Sequence, residues 1–268
     1  MEKQIVWRGL LAGAVAGLLA FAFARIFLEP VIGRAIGYED GRGDAEAALS
    51  AHDHGGAHEH GIEIFSRGIQ ANVGMGFGVL AFSVAMGALF AVVFAVVYAR
   101  VRTTEVRGLA LVLAAAAFVV VYFVPFVKYP ANPPSIGESD TIGMRTGLYL
   151  LMVVLSLVFA AAALWLARVL EPKLGGWNAT LSGLGAYVVA VGLAMAVLPP
   201  VAEVPRPLVD GAGSLVYPGF PADDLFQFRL YAVGIQLVIW LTIGLLGGGL
   251  LDRLLNSDNS DARERLPA

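Results

Sequence analysis

Long apolar runs separated by polar segments dominate the pattern along this chain of 268 residues. The runs are continuous and do not alternate between apolar and polar at every second residue, which predicts helices rather than barrel strands. Each run has about the 20 residues that a helix needs to cross the hydrocarbon core of a bilayer. We place the spanning helices at residues 9–28, 72–99, 108–127, 147–167, 180–198 and 228–251. The predicted fold is all-α, a polytopic membrane protein of about six transmembrane helices.

The ends of the runs follow one plan, repeated three times. An outgoing helix stops near proline, an acidic connection follows, and a return helix opens with Arg67, Arg145 or Arg229. This plan predicts three helical hairpins within a single membrane domain, residues 1–268. Because an arginine at a membrane surface tends to find a partner, we expect these three to pair with nearby carboxylates. The candidate partners are Glu29, Asp140 and Asp224.

Glycines mark surfaces where helices could approach closely. Gly9, Gly13 and Gly17 recur at intervals of four in the first helix and predict a smooth packing stripe. The start of the second helix allows two interpretations. Gly74 and Gly78 could seat a neighbouring helix, or a polar path could be lined by three other residues of this stretch. Those three are Gln70, Asn72 and Met75.

Composition and charge placement agree with a membrane protein and suggest its orientation. With 58% hydrophobic and 15% charged residues, the chain has more apolar residues than a soluble domain of this length could bury. Lys and Arg concentrate at the N-terminus, in the second and fourth connections and in the polar tail 256–268, which predicts that both termini are cytoplasmic. A cleaved signal peptide ending near Ala24 is the competing interpretation, but the apolar run continues through Leu28.

All four histidines fall within nine positions of the first outer connection, residues 29–71. Imidazole and carboxylate groups are common ligands of divalent first-row metals. The candidate metal ligands are His52, Asp53, His54, His58, Glu59 and His60. This connection is too polar and too rich in glycine to pack a core, so we expect it to be mobile without metal. The alternative is a solvated low-complexity insert whose histidines bind nothing.

Several kinds of chemistry are absent from the sequence. There is no cysteine, no G-x-x-x-x-G-K-[ST] motif, no H-E-x-x-H helix and no nucleophile elbow. We therefore predict that the protein is not an enzyme, does not bind nucleic acid and holds no permanently bound cofactor. The helix centres also lack Asp, Glu, His and Lys, which disfavours a self-sufficient proton-coupled carrier. The remaining soft or polar candidates within the spans are Gln70, Asn72, Gln236, Met75, Met86 and Met144. For the methionines, packing or lipid contact is the simpler role.

Several stretches resemble the CbtA family of probable cobalt transporter subunits. The matching pieces are Trp7-Arg8-Gly9-Leu10-Leu11-Ala12-Gly13, Phe27-Leu28-Glu29-Pro30, Ile64-Phe65-Ser66-Arg67, the stretch from Val124 to Pro134 that includes Lys128-Tyr129-Pro130-Ala131-Asn132-Pro133-Pro134, and Tyr217-Pro218-Gly219-Phe220-Pro221-Ala222-Asp223. The resemblance implies a bacterial cytoplasmic-membrane protein of five or six spans that imports cobalt for cobalamin synthesis. It also implies a small single-helix partner, CbtB. No ligand residues can be carried over from the family.

Two function classes therefore remain open. The first is a membrane subunit of a divalent-metal uptake system, with cobalt as cargo and the His52–His60 segment as an outer collector. The ligand types do not select the metal, because Ni²⁺ or Zn²⁺ would bind such a cluster about as readily as Co²⁺. The second class is a polytopic scaffold or accessory protein without transport activity of its own.

Overall fold

A computed structural model describes residues 2–53, 66–101, 105–134, 136–137, 139–201 and 203–255. The α-helices are α1 Glu2–Phe23, α2 Glu29–Asp53, α3 Arg67–Ile69, α4 Met75–Val101, α5 Val106–Ala117, α6 Val124–Lys128, α7 Ile142–Val197 and α8 Ala222–Thr242. Wider π-helical segments lie at Ala24–Leu28, Gln70–Gly74, Phe118–Phe123 and Ile243–Gly247, and a short 3₁₀ helix at Ser139–Thr141. The strands β1 Leu208–Val209 and β2 Leu215–Tyr217 pair antiparallel.

The helices confirm the all-α membrane fold. Within the described ranges, five helices are long and apolar enough to cross a bilayer: Lys3–Ser50, Arg67–Val101, Val106–Lys128, Ile142–Val197 and Ala222–Leu255. A straight helix of the 56 residues in α7 would be about 84 Å long, far more than one crossing requires. Gly175 interrupts α7 with φ 74° and ψ 159°, so α7 consists of two helices. These two helices contain the predicted spans 147–167 and 180–198, and the helix count agrees roughly with the six predicted.

The described residues form two compact units. The first is drawn from Met1–Pro30, Glu59–Phe118 and Leu230–Ala268, and the second from Val31–His58 and Val119–Arg229. The prediction of a single membrane domain, residues 1–268, stays a prediction.

Close backbone contact between α1 and α4 organises the first unit. A side chain on Gly9 would overlap the carbonyl oxygen of Gly87, and one on Gly13 would overlap that of Ser83. The predicted glycine stripe is therefore confirmed. The prediction that Gly74 and Gly78 seat a neighbouring helix is wrong. Among the described residues, no heavy atom lies within 4 Å of where a Cβ of Gly78 would be, and Gly74 meets only a backbone oxygen of its own segment.

The second unit contains most of α2, α6, both halves of α7 and the two short strands. Met152 and Tyr187 are buried in its apolar core, where Ser156 Oγ lies 2.8 Å from the Tyr187 hydroxyl. A smaller apolar cluster joins Ala35 and Tyr38 of α2 to Ile136 and Phe220.

Helix α2 corrects the expectation that residues 29–71 could not pack a core. Its residues Val31, Ile32, Ala35 and Tyr38 are buried. They recur at helical spacing within an otherwise polar sequence, so they form a narrow apolar stripe. The expectation was wrong because the average polarity and the glycine content of the segment conceal this stripe.

Candidate functional site

Most of the predicted metal ligands lie outside the described residues. These are His54, His58, Glu59 and His60. His52 and Asp53 belong to the last turn of α2, where only the backbone is described. Within the described part of the chain, no three His, Asp or Glu side chains are grouped so that they could hold a metal ion. The histidine-rich metal site therefore stays a prediction.

Charged side chains along one face of α2 fix this helix within the second unit. Arg34 Nε donates to Asp224 Oδ1 at 2.6 Å, and its Nη2 donates to Gln227 Oε1 at 2.9 Å. Two turns further along, Arg42 Nη1 donates to the backbone carbonyl of Arg206 at 2.8 Å. Residues four and eight apart share a helix face, so these bonds and those of Tyr38 form one row. We call Arg34, Tyr38 and Arg42 the anchor face of α2.

Aromatic contacts complete the anchor face. The Tyr38 hydroxyl donates to the Pro218 carbonyl at 2.9 Å, and its ring meets the Phe220 ring edge-on at 5.1 Å between centroids. Tyr217 also packs against Tyr38, with its ring centroid 5.3 Å from that of Tyr38, and its hydroxyl closely approaches Gly41. The polar helix that leads to the histidines is thus held by both its charges and its rings.

A buried carboxylate lies beside α2 in the same unit. Glu203 is only 6% exposed, and it is the one charged residue that is buried among the described residues. Thr141 donates its hydroxyl to Glu203 Oε1, and Arg145 Nη1 donates to Oε2 at 2.6 Å. Gly137 has φ 150°, and a Cβ there would lie 3.4 Å from Oε2, so the loop backbone passes close to the ion pair.

Two open polar clefts share this carboxylate. One has a volume of about 480 Å³ and is lined by Arg42, Glu46, Gly137, Glu203, Val204, Pro205 and Arg206. The other, of about 450 Å³, is lined by Glu39, Asn132, Pro133, Pro134, Ile136, Gly137, Ile142, Arg145, Glu203 and Phe228. We refer to them as the polar clefts. Because their lining residues carry charges of both signs, neither cleft is strongly anionic.

The most specific stretch of the family resemblance, Lys128–Pro134, has a structural role in the second unit. Lys128 Nζ donates to the carbonyls of Met195 and Leu198, each at 2.7 Å. These carbonyls lie at the end of α7, where a helix leaves its last C=O groups without internal partners. The adjacent Tyr129 hydroxyl donates to Pro199 O at 2.9 Å, and burial raises the pKa of Tyr129.

Of the three arginines that open the return helices, only Arg67 has the expected partner. Arg67 Nη2 lies 2.5 Å from Glu29 Oε1, as predicted. Arg145 pairs with Glu203. Arg229 donates to Asn132 Oδ1 at 2.9 Å and to the Ala131 carbonyl at 3.3 Å. Asp224, its predicted partner, instead binds Arg34, so that prediction is wrong.

The polar path predicted at the start of the second helix receives little support. Asn72 accepts a hydrogen bond from Arg25 Nε at 3.0 Å and donates to Gly68 O, so its amide serves local structure. Met86 packs against the apolar core of the first unit, and Met144 is exposed on α7. The methionine positions are therefore consistent with packing and lipid contact.

Sequence reasoning missed Glu203 as a special position. It lies in a proline-rich connection without helical or strand periodicity, and nothing in the pattern of this connection distinguishes it from Asp210 or Asp223. Its special character comes from the hydrogen bonds of Thr141 and Arg145, which lie about 60 residues earlier in the chain and are brought to it only by the fold.

The fold defines a multi-pass helical membrane protein. The chain matches the model of the CbtA family, described as "Probable cobalt transporter subunit", over residues 2–252. This chain therefore belongs to the CbtA family, as the resemblance predicted. Neither the curated proteins nor the solved structures gave a match. The family is described by transport rather than by catalysis, and the word subunit implies a partner in a transport system.

Proposed function

We propose that this protein is the membrane subunit of a cobalt uptake system in the bacterial cytoplasmic membrane, and that its histidine-rich segment captures the ion. Membership of the CbtA family over residues 2–252 is the observation that carries this proposal. The clustering of all four histidines among carboxylates supports the capture step, because these groups together supply nitrogen and oxygen ligands. The cargo is bound transiently, and no permanent cofactor is part of the proposal.

The anchor face of α2 supports a defined position for the start of this segment. Its last anchoring residue, Arg42, precedes Asp53 by eleven helical positions, or about 16 Å at 1.5 Å per residue. An anchored helix restricts where the first ligands, His52 and Asp53, can lie. Such restriction reduces the entropy that is lost when a metal ion is bound.

The orientation and the partner belong to the same proposal. With both termini in the cytoplasm, the acidic connections face outward, where incoming cations meet them first. The spans lack a central Asp, Glu, His or Lys, which favours a conduit that is completed by another subunit. We propose a small single-helix protein of the CbtB type as that partner.

Whole-cell uptake tests the capture step. Replacing His52, His54, His58 and His60 with alanine should reduce Co²⁺ uptake at limiting metal while leaving the maximal rate at saturating metal unchanged, since only the local capture of the ion is lost. Gly55→Ala with Gly56→Ala is the matched control, because it alters the same segment but keeps every ligand. If the four-histidine variant takes up as much Co²⁺ at limiting metal as the unchanged protein does, the segment is not a collector. Competition by Ni²⁺ and Zn²⁺ in the same assay measures selectivity.

A scaffold or accessory role is the second candidate function. It is favoured by one observation, that the predicted spans lack a central Asp, Glu, His or Lys, whereas a self-sufficient proton-coupled carrier usually has one. Comparing Co²⁺ accumulation in cells with and without this protein under metal limitation separates the two candidates. Unchanged accumulation supports the scaffold, and reduced accumulation without the protein supports uptake.

A further inference from the structure

Burying the ion pair between Arg145 and Glu203 costs free energy, and a purely structural contact would not require buried charges. Taking two charges out of water is unfavourable, and well-packed apolar residues of similar volume often stabilise a protein as much or more. Only 3% of the Glu203 side chain and 30% of the Arg145 side chain are exposed. A buried pair of this kind is a candidate for a role other than stability.

The position of the pair suggests that role. Glu203 lines both polar clefts, and it also lines a narrow cavity of about 40 Å³ together with Tyr129, Asn132 and Arg229. Arg145 lines one of the polar clefts, the same narrow cavity and a groove of about 250 Å³ that includes Tyr122, Phe126 and Tyr149. The pair therefore lies where the open polar clefts meet the aromatic groove of the second unit.

We propose that the Arg145–Glu203 pair is a cation-exchange gate, in which a hydrated divalent cation from the polar clefts replaces the Arg145 guanidinium at the Glu203 carboxylate. This rests on the proposed uptake function and names a site on the route of the ion. The carboxylate is the ligand, and Arg145 is the tethered cation that occupies it when no cargo is present. A divalent ion carries twice the charge of the guanidinium, so it can compete for the same oxygens.

The chemistry of the site suits transit rather than storage. The available donors are oxygen atoms, from Glu203, Thr141 and water, and oxygen ligands bind divalent cations with modest affinity when only one or two carboxylates take part. A conducting site must bind the ion strongly enough for entry and weakly enough for release. An oxygen site that competes with an internal arginine meets both conditions.

The displaced arginine has an alternative partner. Glu39 lines the same polar cleft as Arg145 and Glu203, and it is exposed. No ion pair of Glu39 occurs with any other described residue. Transfer of the guanidinium from Glu203 to Glu39 would keep Arg145 paired while the cation occupies the buried carboxylate.

Binding of Mn²⁺ tests the gate without any transport measurement. Mn²⁺ prefers oxygen ligands, and electron paramagnetic resonance reports the concentration of the free ion directly. The protein is purified into lipid nanodiscs with all four histidines replaced by alanine, so that the outer segment does not contribute. Glu203→Gln should weaken Mn²⁺ binding by about tenfold or more, whereas Arg145→Gln should strengthen it by about tenfold, because it removes the competing cation.

The opposite signs distinguish a gate from a structural ion pair. Arg107→Gln and Asp252→Asn provide the matched control, because they break a different arginine–carboxylate pair, of 2.9 Å, in the first unit and should leave Mn²⁺ binding unchanged. Equal weakening by Glu203→Gln and Arg145→Gln, or no change with either, would overturn the proposal. Monodisperse elution from size exclusion establishes that each variant folds.

A surface variant keeps the test decisive if Glu203→Gln fails to fold. Glu39→Gln changes an exposed side chain and should weaken Mn²⁺ binding, since Arg145 loses its alternative partner. Unchanged binding in Glu39→Gln together with unchanged binding in Arg145→Gln rejects the gate. Failure of cobalt uptake in cells bears on the proposed function alone, because the Mn²⁺ measurement uses purified protein.

Discussion

Gly87 shows how a single residue can set the approach of two helices. A Cβ at this position would overlap the Gly9 carbonyl oxygen and lie 2.8 Å from the Gly13 Cα, both of which are backbone atoms. Backbone cannot move aside as a side-chain end can, so the two helices would have to separate. In a membrane, where packing rather than water drives association, such separation removes the contacts that hold the helices together.

The change Gly87→Ala should therefore lower the thermal stability of the purified protein by an amount equivalent to about 1–3 kcal/mol, the usual cost of overpacking. Gly78→Ala is the control in the same helix, because no heavy atom of another residue that the structure describes lies within 4 Å of the added methyl group. A thermal unfolding curve in detergent gives both values. Equal stability of the two variants would contradict the close contact between α1 and α4.

At the residue scale, sequence predicted the glycine stripe but not the buried carboxylate. Gly9, Gly13 and Gly17 form a periodic signal within one helix, and a periodic signal can be read without knowing the neighbours. Glu203 gains its character from Thr141 and Arg145, which are distant in the sequence. A pairing between irregular segments leaves no local pattern, so no reading of the sequence alone could have identified it.

At the scale of elements, α2 is where the sequence-based prediction and the structure differ most. Its mean polarity predicted a loop, whereas its buried residues occupy one narrow stripe and its charges bind the segment from Arg206 to Gln227. Three of its four glycines, Gly33, Gly37 and Gly43, have no described neighbour where a Cβ would lie, whereas Gly41 closely approaches Tyr217. A correct prediction would have required the polarity of each helix face to be compared, rather than the average polarity of the segment.

The contact of Gly41 with Tyr217 gives a prediction for this element. Gly41→Ala should destabilise the protein by about 1 kcal/mol, because the methyl group displaces the Tyr217 ring from its place beside Tyr38. Adding Tyr217→Phe should recover part of the loss by removing the hydroxyl that overlaps the methyl group. Gly43→Ala, which faces open space, should instead stabilise the helix by about 0.5–1 kcal/mol. Thermal unfolding of the three variants and of the unchanged protein measures these differences, and a Gly41→Ala protein as stable as Gly43→Ala would contradict the docking of α2.

At the scale of the whole molecule, the apolar runs predicted the class of protein correctly because helix length and bilayer thickness are directly linked. The spans at 147–167 and 180–198 were predicted as separate helices, and Gly175 separates them in α7. The direction in which the chain crosses the membrane is predicted from the distribution of Lys and Arg, and labelling of an introduced cysteine tests this prediction.

The absence of cysteine makes that experiment simple. Ser50→Cys should react with a membrane-impermeant maleimide in intact cells, because the acidic connection is predicted to face outward. Lys173→Cys, in the predicted cytoplasmic connection, is the control and should react only after the cells are broken open. The reverse labelling pattern would invert the topology and exclude capture of the ion from outside.

The break at Gly175 also offers a practical opening for imaging. Residues 171–178 are all exposed, and the chain is helical on both sides of the break. A small rigid helical protein could therefore be fused into this position, with each of its ends continued from one half of α7. Such a fusion would give a protein of 28.2 kDa the additional mass and the recognisable feature that particle alignment in electron cryomicroscopy requires.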